Sequence, residues 1–228
     1  MRCGELLFGF LNELLADEEL LREIEQAVAP VSSWKTKHFN SIFEMRLYRI
    51  VLYAVLRATK PKVAIETGVL HGLTSAFLLR ALERNGHGRL ISIDLPSYPT
   101  AAMPANNDGY VGFLPHGKEA GWIVSQKRHG KRWDLRLEAS TKILPNLGAE
   151  ADELGFFLHD SEHTFDTMWF ELEWAWDRLT DGGVLVCDNI EASTAFVEFA
   201  RRVDRDTMVF PAPDTRRHDA PRFALMVK

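Results

Sequence analysis

Val63-Ala-Ile-Glu66-Thr-Gly68-Val-Leu-His71-Gly72-Leu-Thr74 is the stretch on which the fold turns. Val63, Ala64 and Ile65 form a short apolar run, as a strand covered on both faces requires. The run ends in an acid. Gly68 and Gly72 then let the backbone approach a ligand with no Cβ in the way. Thr74 is the expected cap of a helix that begins there and carries Ala76, Phe77, Leu78, Leu79 and Leu82. Residues 89–94, Arg-Leu-Ile-Ser-Ile-Asp, read as a second strand that also ends in an acid. A strand, glycine turn and helix followed by a strand with a terminal carboxylate is a nucleoside-binding plan. The turn takes the ligand's tail and Asp94 the ribose hydroxyls.

Spacing narrows the nucleoside. The dinucleotide fingerprint is G-x-G-x-x-G, whereas this turn reads E-x-G-x-x-x-G, and no G-x-x-x-x-G-K-[ST] loop for a nucleoside triphosphate is present. A carboxylate at Glu66, on the ligand side of the turn, repels a pyrophosphate and suits a tail that carries an amine or a sulfonium. That chemistry points to S-adenosylmethionine. An ordinary βαβ unit with a glycine turn is the alternative.

The turn resembles motif I of the class I S-adenosylmethionine-dependent methyltransferases. Three later segments extend the resemblance. Phe156-Phe-Leu-His159-Asp160-Ser-Glu-His163 is an apolar strand ending in an acid. Leu179-Thr-Asp-Gly182-Gly183-Val-Leu-Val-Cys187-Asp188-Asn189 reads as a helix end, a glycine turn and a strand, and its L-x-x-G-G-x-L-x-x-D pattern is similar to the fourth-to-fifth strand region of the same enzymes. Glu138-Ala139-Ser140-Thr-Lys-Ile-Leu-Pro145 resembles their adenine-side segment. Within the class, the chain most resembles the metal-dependent O-methyltransferases, of the catechol and the sugar type. The resemblance implies an α/β fold, a doubly wound, mostly parallel seven-stranded sheet with an antiparallel closing pair and N-terminal helices. It also implies adenine near Ala139 and Ser140, and a methionine end near Glu66, Gly68, His71, Gly72 and Thr74.

Composition fits a single domain over residues 1–228. The 46% hydrophobic content is ample for a core, and the net charge of −5 gives no global basic field for nucleic acid. Cys3 and Cys187 are far apart, and Cys187 falls in an expected central strand, so a buried thiol in a reducing, cytoplasmic setting is expected. No apolar run approaches the ~20 residues of a membrane span. Residues 6–28 and 42–57 read as two helices, within a helical segment over residues 1–60. Phe43, Leu47, Ile50, Val51 and Ala54 form one face of the second. They are expected to pack on the sheet or on a second copy of the chain. Strands are expected near 62–66, 89–94, 133–137, 155–159 and 183–188, and two more at 207–210 and 222–227. Residues 95–132, rich in proline and glycine but holding Tyr110, Phe113 and Trp122, leave the ligand edge and read as a lid or substrate loop, or as a subunit-contact arm.

The fourth and fifth strands of such a sheet are neighbours about 4.8 Å apart, with their carboxyl ends at the ligand crevice. Asp160, Asp188 and Asn189 then converge. Two carboxylates repel unless a hard cation such as Mg²⁺ joins them, and the resemblance puts the metal on these three residues. The alternative is that one acid holds the cofactor's amine and the others cap helices. His163 stands where the catechol-type enzymes have a lysine base. It is read as the general base, with a fourth metal ligand or a helix-start residue as alternatives. His159 is core or cofactor shell. Trp169, Leu172, Trp176 and Leu179 recur at helical spacing and read as core. The acceptor is expected to be a hydroxyl of a sugar, polyketide or phenolic small molecule. A nicotinamide oxidoreductase, a related metal-bearing hydroxylase and a non-catalytic cofactor-binding module remain as other readings.

Overall fold

The computed structural model describes residues 3–30, 47–96, 114–211 and 222–228. Its strands are β1 (Val63–Thr67), β2 (Arg89–Asp94), β3 (Trp133–Leu137), β4 (Leu154–His159), β5 (Leu179–Cys187), β6 (Thr207–Pro211) and β7 (Arg222–Val227). They form one seven-stranded sheet in the order β3-β2-β1-β4-β5-β7-β6. The first five are parallel, and β7 runs antiparallel between β5 and β6. All five residues of β1 are buried, because helices cover both faces. The expected doubly wound sheet with its antiparallel closing pair is therefore present.

The helices are α1 (Cys3–Leu15), α2 (Glu18–Val28), α3 (Leu47–Thr59), α4 (Leu73–Asn85), the short α5 (Gln126–His129) and α6 (Ser140–Ile143), α7 (Phe165–Arg178) and α8 (Ala195–Val203). The core has two halves, one on each face of the sheet. One packs Phe77, Leu78, Leu82, Leu52 and Leu56 of α3 and α4 on Ala64, Phe156 and Val186, and the other packs Leu172, Ala175, Phe196 and Phe199 of α7 and α8 on Ile65, Phe157 and Leu185. Leu172 and Leu179 are core as expected, with Trp169 and Trp176 half-buried beside them.

Four sequence expectations are corrected. The helix over residues 6–28 is two helices. Asp17 breaks it, because its carboxylate caps α2 by accepting from the Leu20 N–H at 3.0 Å. Thr74 is not a cap: Gly72, with φ of +83°, is the N-cap and Thr74 lies inside the first turn. The buried residues of α3 are Leu52, Tyr53, Ala54 and Leu56, not one stripe through Leu47, because this helix packs against both α1 and α4; Phe43 lies outside the described residues. Leu179-Thr-Asp-Gly182 already belongs to β5, and Gly182 turns at φ +78° where β5 shifts register on β4. Residues 97–113 of the expected lid lie outside the described residues. No helix among the described residues is long and apolar enough to cross a membrane. Cys187 is a free, buried thiol.

The α1–α2 break is pinned by charge. Arg80 of α4, 4% exposed, contacts both Asp17 oxygens at 2.5 and 2.7 Å and also meets Glu19 and Glu83. Arg128 of α5 reaches Glu19, Glu23 and Glu83. Burial pushes the Asp17 carboxyl up, but hydrogen bonds from Arg80, the Leu20 N–H and Arg84 outweigh it and hold the group at about 2. Arg80→Ala leaves Asp17 buried without its main partner and should cost about 3–5 kcal/mol in urea unfolding. Because the wild-type Asp17 value is depressed, its contribution is full above 3.8 and fades as pH falls towards 2. The difference between variant and wild type should shrink over that window.

Candidate functional site

Backbone hydrogen bonds continue past the strand ends and bring three loops together. Gly68 N donates to Ile93 O, Asp160 N to Thr67 O, and Asp188 N to His159 O, each at 2.9 Å. The chain of β1 therefore enters its turn directly against the end of β4. Gly68 has φ of +83°, and a Cβ there would overlap the Asp160 carbonyl. The turn itself is held by Asp94: Oδ2 accepts from the Val69 and Leu70 N–H groups at 2.8 and 2.7 Å, and Oδ1 from Leu95 at 2.7 Å. The expected ribose acid is thus also the clamp of the glycine turn. A carboxylate has about four acceptor positions, so the two duties are compatible.

The far part of the expected lid docks on this turn. Gly121 N donates to Leu70 O at 2.8 Å and Ile123 N to His71 O at 3.1 Å. Gly72 and Gly121 approach so closely that a Cβ on Gly72 would lie 2.8 Å from the Gly121 Cα. Trp122 Nε1 donates to His71 Nδ1 at 3.1 Å, which leaves the neutral His71 ring protonated on Nε2.

Glu66 lies on the α4 face and is completely buried. Ser92 donates to its Oε1 at 2.5 Å, and Trp133 Nε1 donates in turn to Ser92 at 2.8 Å. Glu66 Oε2 is buried without a well-formed hydrogen bond, and the buried Ser75 hydroxyl lies beside it. Burial pushes this carboxyl up to about 7.

Asp160 and Asp188 lie close enough to act on each other electrostatically. Burial, then the neighbouring Asp188, pushes Asp160 well above the usual carboxylate range; burial lifts Asp188 to about 6. Asn189 follows with φ of +49°, and its amide nitrogen faces Glu191 Oε1 at 3.5 Å. Among the described residues no group of three or more His, Cys, Asp or Glu side chains forms a metal cluster, so the expected metal set rests on two carboxylates and one amide. His163 Nε2 is 3.9 Å from Asp160 Oδ1, and its ring packs edge-to-face on His159 with centroids 5.4 Å apart.

Tyr48 was not legible as a site residue. Its hydroxyl donates to Asp160 Oδ2 at 3.3 Å, while its ring meets Phe223 edge-on. Its place at the start of α3 gave no signal, because the contact spans 112 residues. Glu171 was missed for a similar reason, since one acid among aromatic core residues reads as a surface position. It is fully buried and bonds Thr67, His159 and Ser161. His159 is fully buried beneath the strand ends. Ala139 is the N-cap of α6, and the Ser140 hydroxyl lies close enough to Glu171 to lower its carboxyl.

The Methyltransferase domain family matches residues 65–190, more than half of the chain. No curated protein matches the sequence. Among solved structures, an O-methyltransferase from Bacillus cereus in complex with S-adenosylhomocysteine aligns over 91% of each chain with a TM-score of 0.63 at 13% identity. The O-methyltransferase TomG from Streptomyces achromogenes, involved in tomaymycin synthesis and solved with S-adenosylmethionine, aligns over 92% of this chain and 90% of its own, with a TM-score of 0.58 at 17% identity. The Podospora anserina methyltransferase PaMTH1, bound to S-adenosylhomocysteine, aligns over 95% and 97%, with a TM-score of 0.53 at 16% identity. At these identities the likeness is one of fold.

A carboxyl raised by folding keeps a proton that the unfolded chain releases, so stability falls as pH climbs from 4.5 towards about 7 and levels off above. Glu66→Gln removes that loss. The variant should be more stable than the ligand-free wild type at pH 8 by about 1–3 kcal/mol and gain nothing at pH 4. Urea titrations at the two pH values measure it.

Proposed function

The chain belongs to the methyltransferase-domain family, and on that premise we propose that it moves the methyl group of S-adenosylmethionine to a hydroxyl of a small molecule, with Mg²⁺ held by Asp160, Asp188 and Asn189. One observation carries this reading: acids crowd the carboxyl edge of the sheet, Glu66 fully buried and Asp160 and Asp188 half-buried. Glu66, Asp160 and Asp188 all sit above the usual carboxylate range there, which is the electrostatic preparation for cationic ligands. Membership of the family displaces the nicotinamide oxidoreductase reading.

The residues suit S-adenosylmethionine. Glu66, with one oxygen buried and without a well-formed hydrogen bond, faces a ligand amine or sulfonium rather than a phosphate. Gly68, His71, Gly72 and Thr74 receive the methionine end. Asp94 adds ribose hydroxyls to the backbone groups it already accepts, and Ala139 and Ser140 flank the adenine. When bound, the cofactor supplies an electrophilic methyl carried on a sulfonium.

The acid pair also suits a hard divalent cation. Asp160 and Asp188 act on each other electrostatically, and their oxygens are the donors that Mg²⁺ takes. When bound, the ion acidifies and orients an acceptor hydroxyl. In this reading His163 takes the proton that the hydroxyl gives up as its oxygen bonds to the methyl carbon and the carbon–sulfur bond breaks. Its approach to Asp160 supports that role. A diol that chelates the ion is the natural acceptor, and sugars, polyketides and phenols all offer one. The described part of the expected lid, residues 114–125, docks on the glycine turn and supports a closing role there. The exposed Leu7, Phe8 and Leu15 of α1 support a homo-oligomer contact through the N-terminal helices.

Calorimetry should show S-adenosylhomocysteine binding to the wild type, little changed by a chelator. Mn²⁺, a paramagnetic stand-in for Mg²⁺, should bind the wild type but not Asp188→Ala in spin-resonance titrations. Absence of Mn²⁺ binding to the wild type would return both aspartates to cofactor and cap roles. Once a panel of sugars, polyketides and phenols yields an acceptor, His163→Ala should keep the ion and turn over about 10²–10⁴ times more slowly. If that variant instead loses the ion, His163 is a ligand.

A further inference from the structure

Glu171 lies on α7, in the middle of the helix that packs under β1 and β4. Its neighbours along the helix, Met168, Leu172 and Ala175, are buried apolar side chains. A carboxylate with no exposure in this row is costly unless it is fully bonded. It is fully bonded, and by an informative set of partners. Thr67 Oγ1 donates to Oε2 at 2.5 Å, His159 Nδ1 lies 2.6 Å from the same oxygen, and Ser161 Oγ donates to Oε1 at 2.7 Å. The Ser140 hydroxyl lies close enough to lower the same carboxyl. Burial alone pushes the carboxyl up; the His159 ring, with the Ser140 and Thr67 hydroxyls, outweighs it and holds the group below the usual carboxylate range.

These partners come from three separate segments. Thr67 precedes Gly68 and the glycine turn. Ser140 follows Ala139 at the end of β3. His159 and Ser161 stand on either side of Asp160. The three segments are the walls of the crevice at the carboxyl ends of β1, β3 and β4, and one charge beneath them holds all three.

Resting on the S-adenosylmethionine reading above, we propose that Glu171 is a positioning residue that ties the ends of β1, β3 and β4 to a single buried carboxylate and thereby sets the cofactor-binding walls and Asp160 in register. It touches no substrate. It also fixes a tautomer. An ionised carboxylate only accepts, so the proton of a neutral His159 ring sits on Nδ1. Nε2, buried with no hydrogen-bond partner among the described residues, is left as an acceptor.

Glu171→Gln keeps the shape but replaces one acceptor oxygen with a donor, so one side of the network must face a donor with a donor. S-adenosylhomocysteine should bind this variant about 10–100-fold more weakly, the range for hydrogen bonds to a charged group. Thr67→Val and Ser161→Ala each remove one tie, and should weaken binding by about 3–10-fold. They carry the test if Glu171→Gln does not fold. Phe199→Leu, in the core between α7 and α8, is the control, expected to lower the melting temperature with unchanged affinity. Long-range ¹H–¹⁵N spectra should show His159 protonated on Nδ1 in the wild type and shifted towards Nε2 in Glu171→Gln. Wild-type affinity in Thr67→Val, Ser161→Ala and any folded Glu171→Gln overturns the inference. So does affinity that merely follows melting temperature across the set, Phe199→Leu included. A wild type that binds no S-adenosylhomocysteine is a different failure, because it removes the proposed function and this inference falls with it.

Discussion

The ends of β1 and β4 meet at Gly68 with no room for a side chain. That contact sets the rest of the active edge. Because Gly68 lies against the Asp160 carbonyl, the glycine turn cannot move away from the end of β4 without breaking the bond from Asp160 N to Thr67 O. Asp94 then closes the turn from the β2 side, through the Val69 and Leu70 N–H groups. The glycine turn and the end of β4 that carries Asp160 are thus one rigid unit. A left-handed φ is required at Gly68, and a side chain is excluded at the same position. Two independent demands fall on one residue.

The polar groups behind this edge divide by sheet face. Side chains alternate along a strand, so Glu66 points to the α4 side and Thr67 to the α7 side. Each side holds its own buried network. Glu66, Ser92 and Trp133 form a chain across β1, β2 and β3. Thr67, His159, Ser161 and Glu171 gather beneath β1 and β4. The first leaves an acid oxygen without a well-formed hydrogen bond, and the second satisfies its acid completely. In physical terms the α4 side is prepared for a charge that arrives, and the α7 side carries a charge that stays.

The fold was legible because its signals are local. Val63-Ala-Ile and Phe156-Phe-Leu are continuous apolar runs, and a run buried on both faces means a parallel strand. The meeting of Asp160 with Asp188 was legible too, since strand adjacency follows from the doubly wound order. Contacts that depend on tertiary distance were not. Tyr48 reaches Asp160 across 112 residues, and Trp122 reaches His71 across 51. Glu171 shows a different blind spot. A lone acid in a helix counts as solvent-facing in any periodicity argument, and only its four partners reveal that it is enclosed. Thr74 failed as a cap because a left-handed glycine at Gly72 can start the helix without a side-chain bond.

The docking of residues 114–125 on the glycine turn bears on how this edge of the sheet can change over evolutionary time. Leu95 is anchored by Asp94 at one end of the insertion, and Gly121, Trp122 and Ile123 are anchored by the turn at the other. Closure entropy between fixed anchors rises slowly, by about 0.6 kcal/mol for each doubling of length. Lengthening or shortening the stretch between those anchors therefore leaves the fold almost untouched. Insertion and deletion are tolerated there, while the glycine turn, locked by Gly68 and Asp94, admits almost no variation.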